Sequence, residues 1–435
     1  MSKSTQSSPA QNAAERAVVA TLILPNSAAD NVADPVQEIS GLAEAAGAVV
    51  VGSLIQRLAK VNPRGAFGKG KIEELRLLAE SCDADLVVID FDLSPSQGRN
   101  LEKDIGRRVV DRTELILDIF ATRAQTRQAK LQVELAQLEY MRTRLMRMWT
   151  HLERTEGAVG SRGPGETQLE TDRRLISKKI TDLKRRLKEI EGRSHRAAIA
   201  RDYPYTVSLV GYTNAGKSSM MRRLTGADIY VADQLFATLD TRIRTWNLPD
   251  KRKVILTDTV GFVRDLPHSL VASFHATLEE TLNADLLLHI CDASAPDLLL
   301  HMEAVESVLQ ELEVKEIETV LILNKWDQVE ESEKVLLQAR FPDAICTSVL
   351  DGHGISILQQ RVAAYLDDWS LHLDVEIPAS VGRLLADLRQ VARVITESYE
   401  GDRWLASLSL APHHWSSVRE QLVAAGGSFT VSVER

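Results

Sequence analysis

The chain has 435 residues, 44% of them hydrophobic and 26% charged, with three cysteines and a formal net charge of −9. That length and apolar content allow three or four domains with cores of their own and exclude a small disulfide-stapled fold. Cys82, Cys291 and Cys346 are scattered with no CxxC spacing, which argues for a reducing compartment and against a zinc site.

No charged leader followed by an apolar stretch is present, and no uncharged apolar run is long enough to span a bilayer. A cytoplasmic protein without stable membrane insertion is therefore expected. The net charge would argue against nucleic acid, but it hides an asymmetry. Residues 121–201 carry 19 Lys and Arg against 10 Asp and Glu, a local balance of +9 that leaves −18 on the remainder.

Residues 1–15 are polar and aperiodic and read as a disordered tail. From 16 to 111, β-rich runs at Ala17–Leu24, Ala48–Val51, Leu86–Asp90 and Arg107–Val110 alternate with helical stretches near 36–46, 70–82 and 96–105. Such alternation predicts a small α/β domain around a parallel sheet. Within it, Arg64-Gly-Ala-Phe-Gly-Lys-Gly-Lys71 is a glycine-rich basic loop before a helix. Three readings are open: a phosphate cradle for a second nucleotide, an RNA-backbone contact, or a plain loop.

Residues 112–201 read as a helical hairpin. Leu131, Leu135, Leu138, Met141, Leu145, Met148 and Leu152 recur at steps of four and three, and Ile176, Ile180, Leu183, Leu187 and Ile190 repeat the pattern. The glycine-rich break Gly157–Gly165 should turn the chain back, giving an antiparallel coiled coil. Leu131 to Leu152 alone spans about 33 Å at 1.5 Å per residue, so the break is held far from the main body. Such a hairpin can be a structural element, a dimerisation arm or an RNA-binding rod. Its outward face favours RNA, with Arg142, Arg144, Arg147, Arg173, Arg174, Lys178, Lys179, Lys184, Arg185, Arg186 and Lys188, and with Arg154 and Arg162 near the tip.

Residues 202–368 carry the chemistry. Val207–Val210 is an apolar run leading into Gly211-Tyr212-Thr213-Asn214-Ala215-Gly216-Lys217-Ser218-Ser219, a G-x-x-x-x-G-K-S loop. Its glycines let backbone N–H groups turn inward around a triphosphate, Lys217 reaches the β- and γ-phosphates, and Ser218 can ligate Mg²⁺. A second strand ends in Asp258-Thr259-Val260-Gly261, where Asp258 can hold Mg²⁺ through water and the Gly261 N–H can meet the γ-phosphate. A third ends in Asn324-Lys325-Trp326-Asp327. The Asp327 carboxylate can accept from guanine N1–H and the amino group, Asn324 helps fix the ring, and Lys325 lies along its face. Adenine offers no such donor pair, so GTP is favoured over ATP. Three such segments in this order predict a GTP-hydrolysing domain on a doubly wound sheet.

The chain resembles the bacterial HflX GTPases, ribosome-associated members of the translation-factor-related class. The residues that carry the resemblance are Gly-Tyr-Thr-Asn-Ala-Gly-Lys-Ser at 211–218, Phe236-Ala237-Thr238-Leu239-Asp240, Asp-Thr-Val-Gly-Phe at 258–262, and Gly-Pro-Gly-Glu-Thr-Gln-Leu-Glu-Thr-Asp at 163–172. It runs from about residue 15 to 368. It implies that Thr238 supplies the second Mg²⁺ ligand, with Thr241 a nearby competitor. It further implies that the hairpin probes the peptidyl-transferase region of the 50S subunit and that the protein splits stalled or idle ribosomes, chiefly under stress. Cys346–Gly354 resembles the fifth guanine-binding loop, with Ser348 in place and Val349 where an Ala is usual. Asn214 matches the position at which related GTPases hold K⁺, although a loop-shaping hydrogen bond explains it equally well. Phe262 follows D-T-V-G where many GTPases place a water-orienting Gln, so slow turnover in isolation is expected.

Residues 369–435 predict a compact α+β module, with strands at Leu371–Ile377, 391–398, 403–410 and 428–433 and a helix at 380–390. Two other functions compete with a ribosome-activated GTPase: a GTPase assisting RNA modification, and a GTP-locked scaffold without catalysis. A monomer is expected.

Overall fold

The computed structural model describes residues 14–25, 30, 32–155, 164–199, 205–227, 235–236, 239, 241–249, 252–265, 284–312 and 317–432. Side chains are placed except at 145–155, 164–170, 172, 191–199, 369, 390, 413 and 432. Most of the expected tail, the loop at the hairpin tip with Arg162, the Arg154 side chain, and Ala237, Thr238 and Asp240 fall outside the described positions.

The first body is built on β1 (Arg16–Ile23), β2 (Val49–Arg57), β3 (Leu86–Asp90) and β4 (Arg108–Asp111), an all-parallel sheet in the order β2-β1-β3-β4. Central β1 is an apolar run buried from Ala17 to Ile23, as a strand covered on both faces must be. Edge strand β2 runs well past Val51, where its apolar stretch ends, because an edge needs only one face covered. Helices α1 (Gln37–Ala45), α2 (Lys69–Ser81) and α3 (Pro95–Ile105) make the crossovers. The start and stop of α3 are written in its ends: a Ser94–Gln97 capping box, Pro95 in the first turn, and Gly106 in the left-handed region.

The glycine-rich basic loop is a turn closed on the core. Asn62 and Ala66 exchange backbone hydrogen bonds of 3.0 and 2.9 Å, and Phe67 is fully buried. Two of its cations are engaged on the surface, Arg64 with Asp104 at 3.4 Å and Lys71 with Glu74 at 2.8 Å.

Helices α4 (Arg112–Arg123), α5 (Arg127–Thr155) and α6 (Pro164–Ile199) follow. The break is shorter than the sequence suggests, since α6 begins at Pro164, whose missing N–H costs nothing in a first turn. Lys179–Glu134 at 2.6 Å and Lys184–Glu139 at 2.8 Å hold α5 and α6 side by side, and Leu138 shares a groove with Leu175 and Ile176. The eight residues 156–163 reach at most about 29 Å, less than the roughly 44 Å of 29-residue α5, so helices lying alongside must be antiparallel.

Two hairpin positions differ from expectation. Met141, expected in the seam, is 49% exposed. Arg144, expected on the outward basic face, turns inward, with its guanidinium 2.5 Å from Asp111 Oδ2 and 4.4 Å above the Tyr140 ring. The cause is Asp111, which is 1% exposed. Its carboxylate caps α4 by accepting the Glu114 N–H at 2.9 Å and accepts the Tyr140 hydroxyl at 2.9 Å. Burial pushes its pKa up, while the Glu114 N–H, Arg144 and Tyr140 pull it down. A carboxylate so placed needs a cation, and Arg144 is the one its helix can supply.

The second body carries two sheets. The larger joins β5 (Thr206–Val210), β6 (Arg242–Asn247), β7 (Lys253–Asp258), β8 (Leu286–Asp292), β9 (Thr319–Asn324) and β10 (Ile345–Cys346) in the order β10-β9-β8-β5-β7-β6, parallel except for β6. Its helices are α7 (Lys217–Thr225), α8 (Leu298–Glu311), α9 (Glu331–Arg340) and α10 (Ile355–Trp369). The smaller sheet, β11 (Leu371–Pro378), β12 (Ala392–Glu400), β13 (Arg403–Leu410) and β14 (Ser428–Ser432), is antiparallel in the order β12-β13-β11-β14. It is covered by α11 (Gly382–Val391) and α12 (Trp415–Ala424), the latter not expected from the sequence.

The smaller sheet is tied to α10 of the larger one, where Asp367 accepts from Arg393 of β12 at 3.1 Å as well as from buried Arg252. Arg252 donates to Asp367 at 2.9 Å and to the Ala363 carbonyl at 2.7 Å, and the Tyr205 and Ser370 hydroxyls bond each other. Ala411, just past β13, sits in the core of the larger sheet.

The hairpin root gives the first expected outcome. Asp111→Ala removes a helix cap and the nearest partner of Arg144 and Tyr140, which keep only longer contacts to Glu114 at 3.7 and 3.5 Å, and should cost roughly 2 to 4 kcal/mol. Urea unfolding of the whole chain checks it, and an unchanged midpoint would show that the Asp111 cluster carries no stability.

Candidate active site

The site sits at the carboxyl ends of β5, β7, β8 and β9, the rim at which a doubly wound sheet presents its ligands. The loop from Gly211 to Gly216 connects β5 to α7, and two of its residues can only be glycine. Gly211 has φ +153°, and a Cβ there would collide with the Ile290 carbonyl of β8. Gly216 has φ +98°, and a Cβ would collide with the Asn324 amide. Asn214 also takes the left-handed region, with φ +61°.

Behind this loop lie the site's buried charges. Lys217 is 6% exposed and donates to the carbonyls of Gly211 and Tyr212 at 2.9 and 2.8 Å. Burial lowers its pKa to about 8, with Asp258 opposing the shift. Asp258 is fully buried, and burial raises its pKa against the pull of Lys217 and of Ser218, which donates to Oδ2 at 2.6 Å. Its other oxygen, Oδ1, is buried with no hydrogen-bond partner among the described residues. A serine hydroxyl beside an orphaned carboxylate oxygen is a donor set suited to a hard divalent cation.

The loop after β7 is stitched to the phosphate loop. Phe262 N–H donates to the Gly211 carbonyl at 3.2 Å, and Thr213 N–H donates to the Phe262 carbonyl at 2.7 Å. A Cβ on Gly261 would lie 2.9 Å from Thr213 Cα and 3.0 Å from Lys217 Nζ, so Gly261 brings its backbone against both. Thr259 is buried and donates to the Leu209 carbonyl at 2.9 Å, and Val260 and Phe262 are buried beside it.

A cavity of about 670 Å³ opens beside these groups, walled by Asn214, Gly216, Ser219, Asn324, Lys325, Asp327 and Val349. Asn324 is 2% exposed and acts as a clamp: its amide donates to the Ala215 carbonyl at 2.9 Å and its oxygen accepts the Thr347 hydroxyl at 3.3 Å. Lys325, at φ +57°, pairs with Asp292 at 2.7 Å. Asp327 is exposed in the cavity wall. The Ser348 N–H already donates to the His353 carbonyl at 3.1 Å, and Val349 and Leu350 are the loop positions that line the cavity.

The structure differs from expectation at Phe236. It is 1% exposed and packs edge-on to Phe120 of α4, with ring centroids 4.7 Å apart, and it belongs with Leu235 to the first body. A large aromatic side chain is worth more in that core than beside phosphates. Leu239 is buried, and Thr241, its neighbour beyond Asp240, is partly buried. Sequence reasoning missed five further wall residues: Arg222, Arg223, Gly226, Gln328 and Leu350. A signal for the arginines was present, since Ser219, Arg222 and Arg223 stand at i, i+3 and i+4 on one helix face.

This sheet, loop and charge arrangement defines a P-loop GTPase. Comparison with known proteins narrows the class. Residues 33–121, 123–201 and 206–325 match the families described as GTP-binding GTPase N-terminal, GTP-binding GTPase Middle Region and 50S ribosome-binding GTPase. The chain is 43% identical over 404 residues to GTPase HflX of Magnetococcus marinus, covering 92% of this chain and 93% of that one. It is 44% identical over 376 residues to GTPase HflX of Escherichia coli, covering 85% and 88%. Among solved structures it is similar to a GTP-binding protein of Sulfolobus solfataricus in complex with GDP, at 22% identity and a TM-score of 0.43, covering 80% and 97%. The chain belongs to the HflX GTPase family and is a GTP hydrolase.

Asp327→Asn tests the base-reading position. An amide donates where the carboxylate only accepted, so GTP affinity should fall about a hundredfold, from two charge-assisted bonds at roughly 1.5 kcal/mol or more each, while xanthosine triphosphate is gained. Equilibrium titration with both nucleotides decides, and unchanged GTP binding would move guanine recognition elsewhere.

Proposed function

We propose that this GTPase binds the large ribosomal subunit through its basic hairpin and uses its GTP state to set ribosome binding and splitting or rescue. The observation that carries the reading is the charge distribution: +9 on residues 121–201 against −18 elsewhere. Arg185, Arg186 and Lys188 are exposed on α6, and Arg173, Arg174 and Lys178 stand on the same helix, also exposed. Lys179 and Lys184 pair with glutamates of α5, Arg144 with Asp111 and Arg185 with Glu189, and the exposed cations of α6 form the RNA surface in this reading. Arg154 and Arg162, the further RNA candidates of the sequence, lie outside the placed side chains. RNA phosphate is the partner such a rod suits.

In this reading the phosphate loop, Gly211 to Ser219, cradles GTP through its backbone N–H groups and the N-terminus of α7. Lys217 leaves the carbonyls of Gly211 and Tyr212 for the β- and γ-phosphates. Asp327, Asn324, Lys325, Ser348 and Val349 form the guanine end. Ser218 and Asp258 would hold Mg²⁺, with Thr238 joining in the GTP state; the ion neutralises charge that builds up on the phosphates. Asn214 would hold K⁺ on the same side, in which case hydrolysis runs faster in K⁺ than in Na⁺. Gly261 presents its N–H to the γ-phosphate, while buried Phe262 offers nothing to orient water. The isolated protein is then slow, on the order of 10⁻⁴ to 10⁻² s⁻¹, until a partner orders the loops. It acts in the cytoplasm as a monomer.

Sedimentation through sucrose with a non-hydrolysable GTP analogue tests the partner: co-migration with 50S subunits is expected, and a free pool would overturn the reading. Purified 50S subunits should speed phosphate release at least about tenfold, equal to 1.36 kcal/mol of transition-state stabilisation. Reversing Arg185, Arg186 and Lys188 to Glu should weaken 50S binding most at low salt and flatten its salt dependence while leaving basal hydrolysis intact, since these residues lie on the hairpin. Wild-type 50S binding by that variant at moderate salt would relocate the RNA surface.

A further inference from the structure

Tyr212 fills the second position of the phosphate loop, where its backbone alone would suffice for phosphate binding. Its side chain is nevertheless 94% buried and makes two directed contacts. Its ring stacks on His301 of α8, with centroids 3.9 Å apart and planes 15° from parallel. Its hydroxyl oxygen accepts the backbone N–H of Arg264 at 2.9 Å. Arg264 lies three residues beyond Gly261, in the loop that senses the γ-phosphate.

That loop is therefore pinned to the phosphate loop at three points. Two are main-chain bonds, Phe262 N–H to Gly211 and Thr213 N–H to Phe262, which any side chains would allow. The third depends on the Tyr212 hydroxyl. The need for such a pin follows from Phe262. With no polar side chain after Gly261 to arrange water, the placement of the loop backbone is what the chain has left to work with. A pin three residues past Gly261 limits how far its N–H can swing, and the His301 ring fixes where the pin stands.

We propose that Tyr212 is a positioning residue for GTP hydrolysis, holding the Gly261–Arg264 backbone in hydrolysis-ready register through its hydroxyl and anchored in turn by His301. This rests on the phosphate-loop GTPase reading and adds to it a side chain whose role is geometric, not phosphate binding. The energetic scale is that of one neutral hydrogen bond, about 1 kcal/mol, which corresponds to roughly a fivefold effect on rate.

The test uses the full chain with Tyr212→Phe, which keeps the ring and its stacking and removes only the acceptor. Wild-type protein, Tyr212→Phe and His301→Leu are compared for GDP affinity, single-turnover hydrolysis of GTP, and affinity for GDP with aluminium fluoride, a mimic of the transferring phosphate. Tyr212→Phe should hydrolyse GTP about fivefold more slowly and bind GDP–aluminium fluoride weaker by a similar factor, with GDP affinity within about twofold of wild type. His301→Leu, which removes the ring's stacking partner, should shift the same two readouts in the same direction and by less.

A merely structural tyrosine would lower GDP affinity and the fluoride complex together, and that outcome overturns the proposal. So does a Tyr212→Phe rate equal to wild type. If Tyr212→Phe does not fold, His301→Leu decides by the same split. Failure of the wild-type chain itself to hydrolyse GTP would instead remove the GTPase reading, so the two failures are told apart in one experiment.

Discussion

The active site depends on one close approach, that of the phosphate loop to the ends of β8 and β9. Gly211 lies against the Ile290 carbonyl and Gly216 against the Asn324 amide, and neither place has room for a side chain. This proximity lets Asn324 hold the Ala215 carbonyl and the Thr347 hydroxyl at once. One buried amide so ties together three loops that are distant in sequence. Its two bonds are each worth about 1 kcal/mol, but leaving its polar atoms unpaired at 2% exposure would cost more than the bonds supply. Asn324 is thus better understood as the part that keeps the guanine end assembled than as a contact to the ring.

Close approach also brings opposite charges into a dry place. Lys217 and Asp258 are both buried, and each is shifted toward its neutral form by burial and back toward its charged form by the other. With its pKa at about 8, the lysine keeps its proton at neutral pH. Its two carbonyl acceptors are weak partners for a full charge, and Asp258 keeps one oxygen without a hydrogen bond among the described residues. Such incompletely satisfied charges are expensive in a resting protein and are what a phosphate and a cation relieve on arrival. Binding energy is stored in the fold as unmet electrostatic demand.

The fold and the main chain of the site were legible in the sequence because both rest on local rules. A strand followed by G-x-x-x-x-G-K-S has one geometry, and Gly106, Pro95 and the Ser94–Gln97 pair mark helix ends by chemistry that acts within one turn. What was not legible depends on partners far away in sequence. Arg144 sits among arginines that face solvent, and only the position of Asp111, thirty-odd residues earlier, turns it inward. Phe236 belongs to a motif shared with nucleotide-binding relatives, yet its ring is taken up by Phe120. The helix Trp415–Ala424 has weak periodicity, with only Val418 and Leu422 buried, so pattern alone could not find it.

The same contrast bears on how the molecule can transmit a signal. Links made by main chain, such as the bonds between Gly211, Thr213 and Phe262, persist whatever the side chains are, and so cannot set this protein apart from other GTPases. Links made by a side chain can. In the first body the Asp111–Tyr140–Arg144 cluster fixes the root of the hairpin to the sheet that carries it, and a rod fixed at its root moves with that sheet instead of bending away from it. In the second body the Tyr212–His301 stack and the Tyr212–Arg264 bond fix the loop after β7 to α8. Both clusters turn on a tyrosine, Tyr212 buried and Tyr140 partly buried, whose hydroxyl makes the directed contact and whose ring lies against a neighbouring side chain, an arrangement that holds a backbone segment in register through a single rigid lever. With Phe262 directly after Gly261, this chain relies on accurate placement of its loop backbone, and tyrosine hydroxyls hold both the hairpin root and the loop after β7 in place.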